Sequence, residues 1–244
     1  MAFVFRCPWN TIKPCEKTET IRTSKERVQS TASMDDDRAE EIIARLKDEY
    51  PEADTTLDYG TPYELLVATV LSAQCTDERV NSVTPTLFDE FPTPEAMAGA
   101  EQERVAEIIR STGYYNSKSE YLVDGARTLV DEFDGEVPDN VGDLTRVEGV
   151  GRKTANVVVS NAFETPEHEG IAVDTHVQRL AQRLGLAETE NRDAIERVLQ
   201  EKVPQEDWGT VSHLLIAHGR AVCSARSPDC GECVLEDLCP SSRV

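Results

Sequence analysis

Four of the chain's seven cysteines fall within one stretch of 17 residues, Cys223-x6-Cys230-x2-Cys233-x5-Cys239, with Pro228, Gly231 and Pro240 shaping the loops. The other three are Cys7, Cys15 and Cys75. The total is odd, the cysteines crowd one end, and no secretory signal precedes them, so a disulfide framework does not fit. Four convergent thiolates suit a metal centre in a reducing compartment such as the cytoplasm, and both zinc and an iron–sulfur cluster take such a set. Spacing leaves that choice open, since a zinc ribbon ordinarily carries two C-x2-C pairs and this loop has one.

The residues before this loop read as helix after helix. Ile42, Ile43, Leu46 and Tyr50 recur at helical spacing and Pro51 stops them, with Asp35, Asp36 and Asp37 expected at that helix's N-terminus. Thr61-Pro62-Tyr63-Glu64 is a capping box with proline at the first helical position. It opens a run to Ala73 that is apolar nearly all round, as in a buried central helix. Val80, Val83, Leu87 and Phe88 predict another, disturbed at Pro85, and Thr93-Pro94 begins a short one. Further helices carry Val105 to Ile109 (stopped at Gly113), Tyr121 to Phe133, Val177 to Leu184 (stopped at Gly185), Ile195 to Leu199 and Val211 to His218. Period-two alternation is absent, so the expected fold class is all-α. No apolar run approaches the ~20 residues of a membrane span.

Charge at first argues against nucleic acid. The 244 residues hold 46 acids against 25 lysines and arginines, a net −21. Such a charge repels polyanions and is a lever that salt-adapted proteins use, whereas DNA binders ordinarily show a basic patch. Local charge therefore has to decide. Residues 1–33 hold six basic residues against three acids and lack apolar periodicity, which predicts either a disordered basic arm or a mis-assigned start ahead of Met34.

Leu144-Thr145-Arg146-Val147-Glu148-Gly149-Val150-Gly151-Arg152-Lys153-Thr154-Ala155 changes the argument. A short helix ends near Val147, Gly149 and Gly151 allow a tight turn with close backbone approach, and a second helix follows. The turn leaves backbone amides at a helix N-terminus, a ready phosphate site that needs few cations. Residues 142–163 carry a net +1 and residues 110–118 a net +2, both islands in an acidic chain. Taken alone, the glycines fit an ordinary helix–turn–helix packing motif equally well.

This segment resembles the helix–hairpin–helix of the endonuclease III family of DNA glycosylases. In that family a lysine at the end of the turn is followed about 20 residues on by an aspartate; here Lys153 is followed by Asp174 in Val173-Asp174-Thr175-His176-Val177. Leu71-Ser72-Ala73-Gln74-Cys75-Thr76-Asp77 resembles the family's lesion-entering segment, and Gly113-Tyr114-Tyr115-Asn116-Ser117-Lys118 resembles its wedge loop, although leucine often stands at the Tyr114 position. The match runs from about residue 35 to the C-terminus. It implies two helical domains: a six-helix barrel at 55–167 with the hairpin at about 141–160, and a cluster domain joining 34–54 to 168–244. The cysteine spacing equals the family's, which implies one 4Fe–4S cluster on Cys223, Cys230, Cys233 and Cys239.

The resemblance further implies base excision repair by a DNA glycosylase that removes oxidised pyrimidines and cleaves the abasic site. Lys153 would attack the sugar of an extruded nucleotide, forming a Schiff base from which beta-elimination breaks the strand. Asp174 would stabilise positive charge on the sugar, as carboxylates do in glycoside cleavage, a role compatible with that of helix N-cap. Double-stranded DNA with a damaged pyrimidine or an abasic site is the expected partner, bound by a monomer with no membrane involved. Its expected contacts are Gln74, Tyr114, Asn116, Lys118, Gly149, Val150, Gly151, Arg152 and Thr154. Cys75, His213 and His218 read as structural. The alternatives are a monofunctional adenine or thymine mismatch glycosylase, which ordinarily lacks the lysine, a non-catalytic DNA-binding hairpin protein, and a redox protein built on the cluster.

Overall fold

The computed structural model describes the backbone of residues 24–163 and 170–244, with side chains from Asp37 onward. Eleven α-helices follow one another among the described residues: α1 (Ser24–Glu49), α2 (Pro62–Leu71), α3 (Asp77–Glu90), α4 (Pro94–Ala98), α5 (Gln102–Ile108), α6 (Tyr115–Phe133), α7 (Val141–Leu144), α8 (Arg152–Ala162), α9 (Thr175–Arg183), α10 (Arg192–Lys202) and α11 (Trp208–Ala221). No strand occurs among them, and none of these helices is long and apolar enough to cross a membrane.

Local chemistry accounts for most boundaries. Thr61 Oγ1 accepts from the Glu64 amide at 3.2 Å, while Glu64 reaches back to the Gly60 amide at 2.5 Å, so the predicted capping box forms one residue wider than its usual version. Eight of the ten residues of α2 are buried, as its all-round apolar pattern requires. Pro85 does not break α3, which runs unbroken around it because Val80, Val83, Thr84 and Leu87 hold one face in the core. α1 begins earlier than its apolar pattern suggests. Residues 24–33, expected within a disordered arm, are helical, so Asp35, Asp36 and Asp37 lie mid-helix rather than at its start. The cause is local propensity: Lys25, Glu26, Arg27 and Gln29 are good helix formers, and no glycine or proline interrupts the run to Pro51. Residues 1–23 lie outside the described residues.

Two hydrophobic cores form. The first gathers the buried faces of α2 to α8, around Leu65, Leu71, Leu87, Met97, Ile109, Leu129 and Val158. The second gathers Ile42, Ile43 and Leu46 of α1 with α9, α10, α11 and Leu235. Polar clamps hold α1 there. Arg38 donates to the carbonyls of Leu184 (2.7 Å), Gly185 (3.1 Å) and Leu238 (3.2 Å), and Arg45 pairs with Asp237 at 2.6 Å.

A helix-interior glycine positions the hairpin. A Cβ on Gly125 of α6 would lie 2.9 Å from the Glu148 carbonyl oxygen and 3.3 Å from the Val147 side chain. The absence of a side chain thus lets the turn at 147–149 lie directly on α6. Replacing glycine by alanine inside a helix ordinarily stabilises by about 1 kcal/mol. Here the clash is with backbone, so Gly125→Ala is expected to destabilise by roughly 1–3 kcal/mol, read as a lowered urea midpoint.

Candidate active site

Lys153, one residue into α8, and Asp174, the N-cap of α9, line one pocket of about 130 Å³. Its wall also includes Ser72, Asp77, Ser212, His213 and Arg220. Asp174 holds its position through a single oxygen. Oδ1 accepts from the amides of His176 (2.7 Å) and Val177 (2.8 Å), while Oδ2 takes no hydrogen bond among the described residues. The carboxylate is therefore fixed as a helix cap and still offers an oxygen for other work. Sequence reasoning missed part of the wall. Asp77 accepts from Thr56 Oγ1 at 2.5 Å and pairs with Arg220 at 3.4 Å, which ties α3 to α11 at the pocket edge. His213, read as structural, lines the pocket, and burial pushes its imidazolium below the ordinary histidine range against the opposing charge of Asp54. The available signal was spacing: Ser212, His213, Ile216 and Arg220 recur on one face of α11.

The hairpin turns on Gly149, whose φ is +79° and whose Cβ would lie 2.5 Å from that of Tyr121, so both conformation and space call for glycine. Gly151 is extended instead (φ −85°, ψ 168°) and caps α8 without a side chain. The amides of Lys153 and Thr154 then lie in a first turn that no side chain among the described residues caps, and these amides have no intrahelical acceptor. Val150 does not belong to this surface. Its side chain is buried and its amide donates to the Val147 carbonyl at 3.1 Å, because the tight turn closes on itself.

Arg152, expected among the DNA contacts, is already engaged within the protein. Its guanidinium makes a two-pronged pair with Glu196 of α10, at 2.8 and 3.0 Å. Arg146 pairs with Glu132 and, at 3.1 Å, with Asp143. Of the three hairpin cations Lys153 is the one with no ion pair among the described residues.

Gln74 and Tyr114 are exposed, and both adopt left-handed backbone with φ of +54° and +47°. That conformation costs a non-glycine residue roughly 1–2 kcal/mol. Asn116 is exposed nearby. Lys118, expected to face DNA, is 3% exposed. Its ammonium donates to the carbonyls of Leu71 (2.7 Å) and Thr112 (3.0 Å), so it points inward. Burial pushes it below the ordinary lysine range, and Cys75 pulls the other way. The basic island at 110–118 thus presents one outward cation, Arg110.

The four clustered cysteines line a separate cavity of about 220 Å³ with Arg183 and His218. Among the described residues no group of three or more His, Cys, Asp or Glu is drawn in to the spacing of a single metal ion. The four thiols line one space, and a set of four such ligands suits a metal centre. Burial pushes the Cys233 and Cys239 thiols up, opposed by the backbone at Leu235 and Ser241 and reinforced by the charges of the neighbouring cysteines. The surroundings suit such ligands. Arg183 donates to Cys223 Sγ at 3.2 Å and His218 Nε2 lies 3.3 Å from Cys233 Sγ. A thiolate only accepts, so Nε2 carries the proton and Nδ1 accepts from Tyr50 Oη at 3.0 Å. The same elements build the pocket: α9 carries Asp174 at its start and Arg183 at its end, and α11 carries His213 and His218.

Comparison with known proteins agrees with this architecture. Residues 67–205 match the HhH-GPD superfamily of base excision DNA repair proteins, and residues 223–239 match the iron–sulfur binding domain of endonuclease III. The chain is 52% identical to endonuclease III of Synechocystis sp. over 207 residues, 85% of this chain and 94% of that protein. It is 44% identical to endonuclease III of Escherichia coli over 82% of this chain and 93% of that protein. The chain belongs to the endonuclease III family. A solved structure of a trapped endonuclease III–DNA covalent intermediate superposes with a TM-score of 0.75 at 38% identity, over 90% of this chain and 97% of that one. A thermostable thymine-DNA glycosylase, 20% identical with a TM-score of 0.76, shares the fold alone. As an endonuclease III family member the protein is an enzyme that carries a 4Fe–4S cluster.

Proposed function

We propose that Lys153 and Asp174 carry the chemistry of a base excision repair enzyme. The enzyme is a bifunctional DNA glycosylase and abasic-site lyase for oxidised pyrimidines. One observation supports the residue assignment above the others. A lysine with no ion pair among the described residues, at the start of the second hairpin helix, shares a pocket with an aspartate that, among those residues, keeps one oxygen open. Duplex DNA would lie along the uncapped amides of α8, with the two cores forming the two lobes that hold it.

The steps follow from that placement. Gln74 and Tyr114 enter the stack and the damaged nucleotide turns out into the pocket, which costs least at a weakened pair. Neutral Lys153 Nζ attacks the anomeric carbon, the bond to the base breaks, and the base departs with the electron pair and takes up a proton. Asp174 stabilises the positive charge on the sugar as that bond breaks, which is where a fixed carboxylate contributes most. Ring opening leaves an imine between Lys153 and the sugar. Asp174 assists removal of the neighbouring sugar proton, and the 3′ phosphate leaves. Cys223, Cys230, Cys233 and Cys239 would hold the cluster, which when bound supplies a cross-link between the end of α11 and the C-terminal loop. One chain supplies the whole pocket, so we read the acting species as a monomer.

Borohydride trapping tests this reading, because the reagent reduces a carbon–nitrogen double bond into a permanent link. Cluster-loaded protein mixed with a duplex holding one oxidised thymine is expected to give a covalent complex in borohydride and a nicked strand without it. Base release with no complex would instead assign the chain to monofunctional enzymes. Binding with neither would leave a hairpin protein that holds DNA without cutting it.

A further inference from the structure

We propose that Lys118 is a positioning residue that bolts together the two loops carrying Gln74 and Tyr114, and so sets the spacing needed to extrude a base. This rests on the reading of the protein as a base-extruding glycosylase. The Leu71 carbonyl ends α2 and stands three residues before Gln74; the Thr112 carbonyl stands two residues before Tyr114. One ammonium bonds both. The carbonyls at a helix C-terminus lack intrahelical donors and carry negative partial charge, so a cation there satisfies one of them directly.

Two further observations point to more than packing. First, burying an ammonium is expensive, and an apolar side chain would fill the same volume without that cost. Second, three non-glycine residues among those described have positive φ, namely Gln74, Tyr114 and Asp134. Asp134 is simply the left-handed cap that ends α6. The other two are the exposed side chains at the tips of the bolted loops. Backbone strain of this kind persists only where its surroundings over-determine it, and it gathers where a side chain must be aimed. Lys118 supplies that over-determination at both tips, so it acts through Gln74 and Tyr114 without touching DNA.

The test compares two substrates in single turnover with Lys118→Met, which keeps an unbranched side chain one atom shorter and removes both hydrogen bonds. The first duplex carries an oxidised thymine in a stable pair, so a base must be levered out. The second carries a preformed abasic site, where no base has to leave the stack and only strand cleavage is scored. Misaimed loops are expected to slow base release on the order of tenfold to a hundredfold, the scale of a small misplacement remote from the chemistry. Cleavage of the abasic duplex should stay within about threefold of wild type. Equal losses on both duplexes would make Lys118 a general support of the fold and overturn the proposal, as would no loss on either. Should Lys118→Met fail to fold, Lys118→Arg carries the same comparison, since its wider planar head reaches both carbonyls only by moving them apart. A wild-type protein inactive on both duplexes would sink the glycosylase reading itself, and this proposal with it.

Discussion

Lys153→Gln is expected to abolish strand cleavage and borohydride trapping while the protein still folds and still binds a damaged duplex. Removing a covalent nucleophile ordinarily costs many orders of magnitude, so a loss of at least ~10³-fold in single-turnover cleavage is expected. The fold has little to lose: Lys153 is exposed and makes no ion pair among the described residues, so its melting midpoint should move by no more than about 0.5 kcal/mol of stability. Asp174→Asn is the matching control. Asparagine caps a helix as well as aspartate does, so the amides of His176 and Val177 keep an acceptor while the charge disappears. A large loss of base release in that variant, with unchanged melting, would separate the carboxylate's chemical role from its cap. Trapping that survives in Lys153→Gln would move the nucleophile elsewhere and remove the basis of the mechanism.

The residues that sequence reasoning placed well carry a local signature. Capping chemistry and apolar spacing locate α2, α4 and α9, because a cap or a helix face is decided within four residues of chain. Lys153 and Asp174 were singled out through a resemblance that covers both their types and their separation, and the structure brings the two to one pocket. What was illegible depends on where a long side chain points. Lys118 reads as a surface cation and Arg152 as one without a protein partner, since lysine and arginine are mostly exposed. Their partners are distant in sequence: Leu71 lies 47 residues from Lys118, and Glu196 lies 44 residues from Arg152. Gly125 looked like a weak point in a helix, and its use appears only when the hairpin, some twenty residues on, is laid against it. The early start of α1 was missed for the opposite reason. Its first turns have good helix formers but no apolar stripe, so hydrophobic periodicity does not mark them.

Arg152→Ala is expected to show its main effect in stability rather than in DNA affinity. Glu196 has a side chain only 5% exposed, so protein groups supply its hydrogen bonds in place of water. Two bonds come from Arg152, and Asn156 Nδ2 adds a third at 2.9 Å while also reaching the Ile171 carbonyl at 3.3 Å. The network thus joins α8 of the first core to α10 of the second, and holds the helix of Lys153 against the segment that leads to Asp174. Truncating one partner of a buried pair leaves the other charge uncompensated, at a cost of about 3–5 kcal/mol. The Arg152 side chain is half exposed and water can reach part of the site, so about 3 kcal/mol is expected, the lower end of that range. The urea midpoint should fall accordingly with little change in slope. Removing both charges, in Arg152→Ala with Glu196→Ala, should restore part of the loss, because no buried carboxylate then stands alone. A guanidinium that served chiefly as a phosphate contact would give the reverse: unchanged melting, weaker binding to damaged and undamaged duplex alike, and a salt slope lower by about one. The bidentate geometry favours the first outcome, since Nε and one terminal nitrogen of Arg152 are already bonded to Glu196 before DNA arrives.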